Sequence, residues 1–128
     1  MKVSLAVVEA PAPITATSPF CSVADSTLYA KEFGGHAWTR NNAPVVELPG
    51  VQLRFAKVDK AQLPTAGHTL DHIGFDVKNL EAFVKKLQAD GVKVDRPYTK
   101  NAQTGAALAF IYDPWGTYIE LNERPNPL

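Results

Sequence analysis

The sequence predicts an α+β fold built from two paired β-α-β-β-β modules. The second half runs strand, helix, strand, strand, strand between about residues 69 and 123. The first half, up to about residue 57, shows the same plan with a blurred start. Within the second half the apolar period also switches from 2 to 3.6 and back to 2, the mark of strands flanking a helix. A repeat of roughly 55–60 residues that occurs only twice is too long and too few for a solenoid. The halves are therefore read as modules of one domain over residues 1–128, joined by a polar connector at about 58–68.

In the first module, residues 3–8 read as the opening strand. Glu9 interrupts the apolar run, which is at the short limit for the core of a secretory leader, so a first strand is the better reading. Pro11, Pro13 and Pro19 prevent a continuous helix through "APAPITATSPF" and give that stretch poor strand character as well. Asp25 and Ser26 can cap a short helix reaching about Phe33, and Gly34-Gly35 ends it. His36 then falls at the surface. "NNAP" is a turn, and residues 45–48 and 51–55 are strands around Pro49-Gly50, a hairpin signal.

The second module opens with a strand from residue 68 or 69 to 77. A helix follows over about residues 79–90, with Leu80, Phe83, Val84 and Leu87 at helical spacing, and Gly91 stops it. A short strand at 92–94 leads into "DRPYTKNAQTG", read as a connector. Residues 106–112 form a strand, "DPWG" a tight turn, and 117–121 the last strand.

A chain of 128 residues, 45% hydrophobic and 20% charged, can bury one ordinary core. Its formal net charge is zero and it has no basic run, which argues against nucleic acid or an anionic membrane surface as partner. No apolar stretch approaches the roughly 20 residues of a membrane span. Cys21 is the only cysteine, so no intrachain disulfide can form, in keeping with a reducing, cytoplasmic setting.

The strand patterns single out two residues. In "HIGFDV", Ile73, Phe75 and Val77 share one face and His72, Gly74 and Asp76 the other. In "YIELNE", Ile119 and Leu121 face one way, and Tyr118, Glu120 and Asn122 the other. His72 and Glu120 are thus both turned from the apolar side, and Gly74 leaves space beside His72. Imidazole plus carboxylate suits a divalent ion such as zinc, manganese, iron, nickel or cobalt. The same pair also suits a hydrogen bond tying two strands together.

"DHIGFDV", "LEAFVKKLQADGVKV" and "DPWGTYIELNE" resemble the second module of the vicinal oxygen chelate superfamily. Its members include glyoxalase I, extradiol dioxygenases, fosfomycin-resistance proteins and bleomycin-binding proteins. The resemblance spans residues 69–123, and "LYAKEFGG" and "LPGVQLRFAK" resemble parts of the first module. It implies a curled mixed sheet forming a cup, with helices on the convex face, around a metal held by His72 and Glu120. It also implies a glyoxalase-like lyase, isomerase or oxygenase-type enzyme acting on a small molecule with vicinal oxygens, with Glu120 able to move a proton. A homodimer is implied too, since family cups are often completed by a second chain. The alternatives are a metal-free binder like the bleomycin-sequestering members, an inactive relative, and a dimerisation scaffold.

The first module departs from the family pattern. Counting back from "LYAKEFGG", its ligand should fall near residues 14–18, where the sequence reads Ile-Thr-Ala-Thr-Ser. The last strand of that module offers Gln52, a weak ligand, and Arg54, which repels a cation. His68 lies roughly 13 Å from His72 on an extended strand, too far to share an ion. His68 and His36 are read as solvated, and Glu9 is unplaced. The expected consequences are an under-ligated site with weak metal binding and low activity, and an N-terminal stretch displaced from its family position or loosely attached. Tyr118, Asn122, Arg54 and Arg96 are the candidate substrate-pocket residues. Trp115 is assigned to packing at its turn, and Tyr98 and Tyr112, which could reach a polar ligand in the cup, are read as amphipathic residues of a partly exposed sheet.

Overall fold

The computed structural model describes residues 15–18, 27–57 and 63–125. Among them run β1 (Thr15–Ser18), α1 (Thr27–Lys31), β2 (His36–Arg40), β3 (Ala43–Leu48), β4 (Val51–Lys57), β5 (His72–Asp76), α2 (Leu80–Ala89), β6 (Val94–Lys100), β7 (Ala107–Tyr112) and β8 (Tyr118–Glu123). The strand expected at residues 3–8 and the caps expected at Asp25 and Ser26 lie outside the described residues.

The strands form two four-stranded sheets of the same order, β1-β4-β3-β2 and β5-β8-β7-β6. Each sheet is mixed: β1 pairs with β4 and β5 with β8 in parallel, and the other neighbours are antiparallel. The doubled β-α-β-β-β plan is therefore present in full, and residues 15–18 take their place beside β4 rather than being displaced from the sheet.

Two strands differ from the sequence reading. β2 was expected to be a surface stretch around His36; it is mostly exposed yet pairs with β3 along its whole length. β6 extends through "DRPYTK", expected as a connector. Both are edge strands, held by backbone pairing on one side with little side-chain burial, Val94 and Tyr98 being the β6 residues that reach the core. Register shifts either side of Arg96 interrupt the β6–β7 ladder, and an edge strand tolerates Pro97, which has no N–H to donate.

The turns follow local chemistry. Asn41 and Asn42 both have positive φ, 49° and 61°, as the two central residues of a tight β2–β3 hairpin require. Gly116, at φ 90°, closes the β7–β8 turn against Pro64, whose Cα would stand 3.2 Å from any added Cβ. Asp113 shapes that turn by accepting the N–H groups of Trp115 (2.9 Å) and Thr117 (2.7 Å) on one carboxylate oxygen. α2 starts where Glu123, at the end of β8, accepts the Asn79 and Leu80 N–H groups, a side-chain cap supplied from another element.

One apolar cluster joins the modules. Val46, Leu48, Leu53 and Phe55 of the first sheet pack with Ile73, Phe75, Ile119 and Leu121 of the second, and with Tyr29 and Phe33 from α1 and the turn after it and Leu80, Val84 and Leu87 of α2. The Phe33 and Phe75 rings lie 4.9 Å apart, and the Phe55 and Trp115 rings 5.2 Å. Trp115 thus packs at the turn as expected. On the helix surface Glu32, almost wholly buried, pairs with Lys86 of α2 and with Lys31. The helices and the core cluster occupy one face of each sheet, and the alternate residues, buried Val45, Phe110 and Tyr118 among them, are left on the other.

Candidate metal site

The parallel β5–β8 ladder places His72 opposite Tyr118 and Gly74 opposite Glu120. This register sets Glu120 diagonally across from His72 on the face turned from the helices, within reach of both side chains. His72 Nε2 and Glu120 Oε2 are 3.0 Å apart, with the two side chains 39% and 24% exposed. The pair is partly open to solvent, as a site that receives a ligand must be.

The spacing fits a shared ion. Donors at the usual metal–nitrogen and metal–oxygen lengths, with bond angles between right-angled and tetrahedral, lie roughly 2.9–3.4 Å apart. Borderline imidazole with hard carboxylate is a donor set for zinc, manganese, iron, nickel or cobalt. Among the described residues no group of three His, Cys, Asp or Glu gathers around one point. His36 and His68 lie away from the pair on β2 and in the connector, and Glu9 lies outside the described residues.

An aromatic wall flanks the pair. Phe110 of β7 stands edge-on to the His72 ring at 6.0 Å and stacks on Tyr118 at 4.9 Å; Tyr112 lies 4.8 Å from Tyr118 on the far side. The Tyr118 hydroxyl donates to Asp95 at 2.8 Å. Burial, with this bond to a carboxylate, pushes the phenol up to about 12, so Tyr118 remains a neutral donor. Its ring is walled in on both sides and its hydroxyl is engaged, which makes it part of the site's frame.

The other expected pocket residues divide. Arg96 reaches over Phe110, its guanidinium carbon 5.1 Å from the ring centre, one ring away from His72. Asn122 lies on the same face of β8, opposite Asp76 and Leu108. Arg54 belongs to the other sheet, opposite Thr15 and Val45, and is not brought to the pair by the sheet pairing. A cleft of about 810 Å³ opens elsewhere, between α1, the turn after α2 and the β7–β8 turn; neither His72 nor Glu120 lines it.

Asp71 was missed by the sequence reading. Its Oδ1 is 2.8 Å from His72 Nδ1. Within a strand, consecutive side chains point to opposite faces, so alternation offers no reason to join Asp71 to His72. Asp71 lies just before β5, where that constraint lapses. The hydrogen bond from the Gly67 N–H, reinforced by His72, holds its carboxyl below the usual range. Asp95, the partner of Tyr118, was missed for a related reason, since it lies on a strand read as a connector.

The model for the glyoxalase/bleomycin resistance protein/dioxygenase superfamily matches residues 5–121. No curated protein matches in sequence. Among solved structures, the chain is similar to the genomically encoded fosfomycin resistance protein of Listeria monocytogenes, at 18% identity and TM-score 0.67, covering 91% of this chain and 94% of that one. A glyoxalase family protein of Enterococcus faecalis aligns at 23% identity and TM-score 0.66, over 88% and 94% of the two chains. A glyoxalase/bleomycin resistance protein/dioxygenase of Alicyclobacillus acidocaldarius aligns at 12% identity and TM-score 0.63, over 94% and 96%. At these identities the likeness is one of fold.

Proposed function

This chain belongs to the glyoxalase/bleomycin resistance protein/dioxygenase superfamily, and from that premise we propose that it is a metal-dependent enzyme acting on a small molecule with two adjacent oxygens. The observation that carries the proposal is the 3.0 Å approach of His72 Nε2 to Glu120 Oε2 on the face free of helices. A bound divalent ion would act there as a Lewis acid toward the substrate oxygens. His72 and Glu120 would hold the ion. Glu120, the more flexible of the two, would also take or return a proton at a carbon beside those oxygens. Phe110 and Tyr118 would exclude water from one side, and Arg96 and Asn122 would orient polar groups of the substrate. Lyase, isomerase and oxygenase-type chemistry all fit this arrangement.

A homodimer completes the proposal. The contacts between the two modules within one chain, such as Phe33–Phe75 and Tyr29–Asp113, lie on the helix side. That leaves the opposite face of each sheet to meet a second copy. The second reading is a metal-free binder in the same cup, favoured by β1, whose sequence Thr-Ala-Thr-Ser offers no strong ligand. Metal analysis of untagged protein, followed by zinc or manganese titration of the unaltered chain and the His72→Ala, Glu120→Ala double variant, tests the proposal. Ion binding that the double variant loses is the expected result. Full retention of metal by the double variant would overturn the assignment of these ligands, and no binding by the unaltered protein would favour the metal-free reading.

A further inference from the structure

Strand alternation alone would turn Arg96 toward the core. Val94 and Tyr98, two residues to either side of it, both pack against the core cluster, and alternate residues of a regular strand share a face. The β6–β7 ladder departs from that rule. Val94 lies opposite Ile111 and Arg96 opposite Phe110, so two steps along β6 match one along β7; from Arg96 to Thr99, three steps match two. An extra residue on each side of Arg96 therefore transfers this side chain to the face free of helices, where Phe110 lies. Bulges of this kind re-aim single side chains beside binding and active sites.

Arg96 thus arrives beside the candidate metal pair. Its guanidinium carbon sits 5.1 Å from the Phe110 ring centre, and His72 stands edge-on to the same ring at 6.0 Å. Arg96 is exposed, and among the described residues it forms no ion pair. Stacking on the ring orients the planar fork and leaves its N–H groups for an acceptor. The nearby carboxylates have other partners: Asp71 meets His72 and the Gly67 N–H, Glu120 meets His72, and Asp95 accepts the Tyr118 hydroxyl. We infer that Arg96 is a specificity-determining residue whose fork receives a carboxylate of the substrate, at the end remote from the two adjacent oxygens. The substrate class is then a small organic acid in which carboxylate and vicinal oxygens stand about a ring's width apart, the separation that Phe110 sets between Arg96 and His72. The inference rests on the function proposed above and narrows it.

A rigid probe with this layout is 3,4-dihydroxybenzoate, and the uncharged 3,4-dihydroxybenzamide is its control. Calorimetric titration of the zinc-loaded protein gives the ratio of the two affinities. That ratio should favour the acid by about 10–100-fold more in the unaltered protein than in Arg96→Gln, a comparison in which the probes' own difference in zinc affinity cancels. Affinity for the amide should be the same in both proteins. Arg96→Lys keeps the charge without the fork and should recover only part of the preference. Equal ratios in the unaltered protein and Arg96→Gln overturn the inference. So does a full preference in Arg96→Lys, which would reduce Arg96 to a distant charge. In metal-free protein the Arg96 Nε–H resonance should move on addition of the acid and stay in place with the amide. If the protein takes up no zinc, the metal reading fails by itself and this resonance decides: a shift specific to the acid supports the carboxylate site, and an unmoved signal overturns it.

Discussion

Arg54 and Glu120 occupy equivalent positions in the two halves of the fold. Arg54 lies opposite Thr15 on the parallel β1–β4 ladder, and Glu120 lies opposite Gly74 on the parallel β5–β8 ladder. Each follows a turn closed by a glycine of positive φ, Gly50 or Gly116, and each is flanked by core residues, Leu53 and Phe55 or Ile119 and Leu121. The first module therefore presents a cation where the second presents a carboxylate, so the doubled architecture does not carry a doubled ligand set.

Thr15→His should tighten zinc or manganese binding. β1 contains neither imidazole nor carboxylate, and the ladder sets Thr15 beside Arg54 on the strand that corresponds to β5. Two protein ligands leave most of a four- to six-coordinate shell to water, so an added imidazole should raise affinity by about tenfold or more. Calorimetric titration of both proteins is the check. Equal affinity would mean that β1 does not face the ion in the assembled cup.

Light scattering should report a homodimer at micromolar concentration. His72 and Glu120 lie partly exposed on a face whose aromatic neighbours Phe110 and Tyr118 are already packed among themselves. Closing such a face with a second copy satisfies the symmetry of most soluble assemblies. A monomer at high micromolar concentration would remove the idea.

The stability gained by Asp113→Asn should grow with pH. Burial raises the Asp113 carboxyl above its ordinary value, and the hydrogen bonds from Thr117, Tyr29 and Trp115 offset this only in part. The folded state then holds the proton more tightly than the unfolded state. The group's contribution is full below the unfolded value near 3.8 and is lost as pH rises through the raised folded value. Asparagine keeps an acceptor for the Trp115 and Thr117 N–H groups and does not titrate. Melting temperatures of the two proteins from pH 3.5 to 7 should therefore diverge upward in favour of the variant. Parallel curves would contradict this. Asp113→Ala, which strands those donors and the buried Tyr29 hydroxyl, should destabilise by about 3 kcal/mol.

Phe75→Ala should unfold both halves together. Phe75 is fully buried and meets Phe33 and Tyr29 of the first module. Truncating such a ring costs about 3–5 kcal/mol. Denaturant curves followed by Trp38 and Trp115 fluorescence and by far-ultraviolet circular dichroism should shift together as one transition. Two separated transitions would mean that the modules fold as independent units.

The sequence by itself determined the local features. Alternation in "HIGFDV" and "YIELNE" turned His72 and Glu120 from the core, because successive side chains of a strand point to opposite faces whatever the strand pairs with. The spacing of Leu80, Val84 and Leu87 determined α2, and glycine, asparagine and proline marked the turns, because each of these restricts or frees a single residue's backbone. Tertiary structure decided what depends on neighbours. β2 and β6 escaped the sequence reading because an edge strand is held by backbone hydrogen bonds, which leave no side-chain pattern. The β5–β8 register brought Nε2 and Oε2 to 3.0 Å, and a shift of one residue would have sent the two side chains to opposite faces. Asp71 reached His72 only because the connector, anchored through Thr65 to Tyr118 and Gly116, bends back before β5 begins, a path that long-range hydrogen bonds impose and no local spacing encodes.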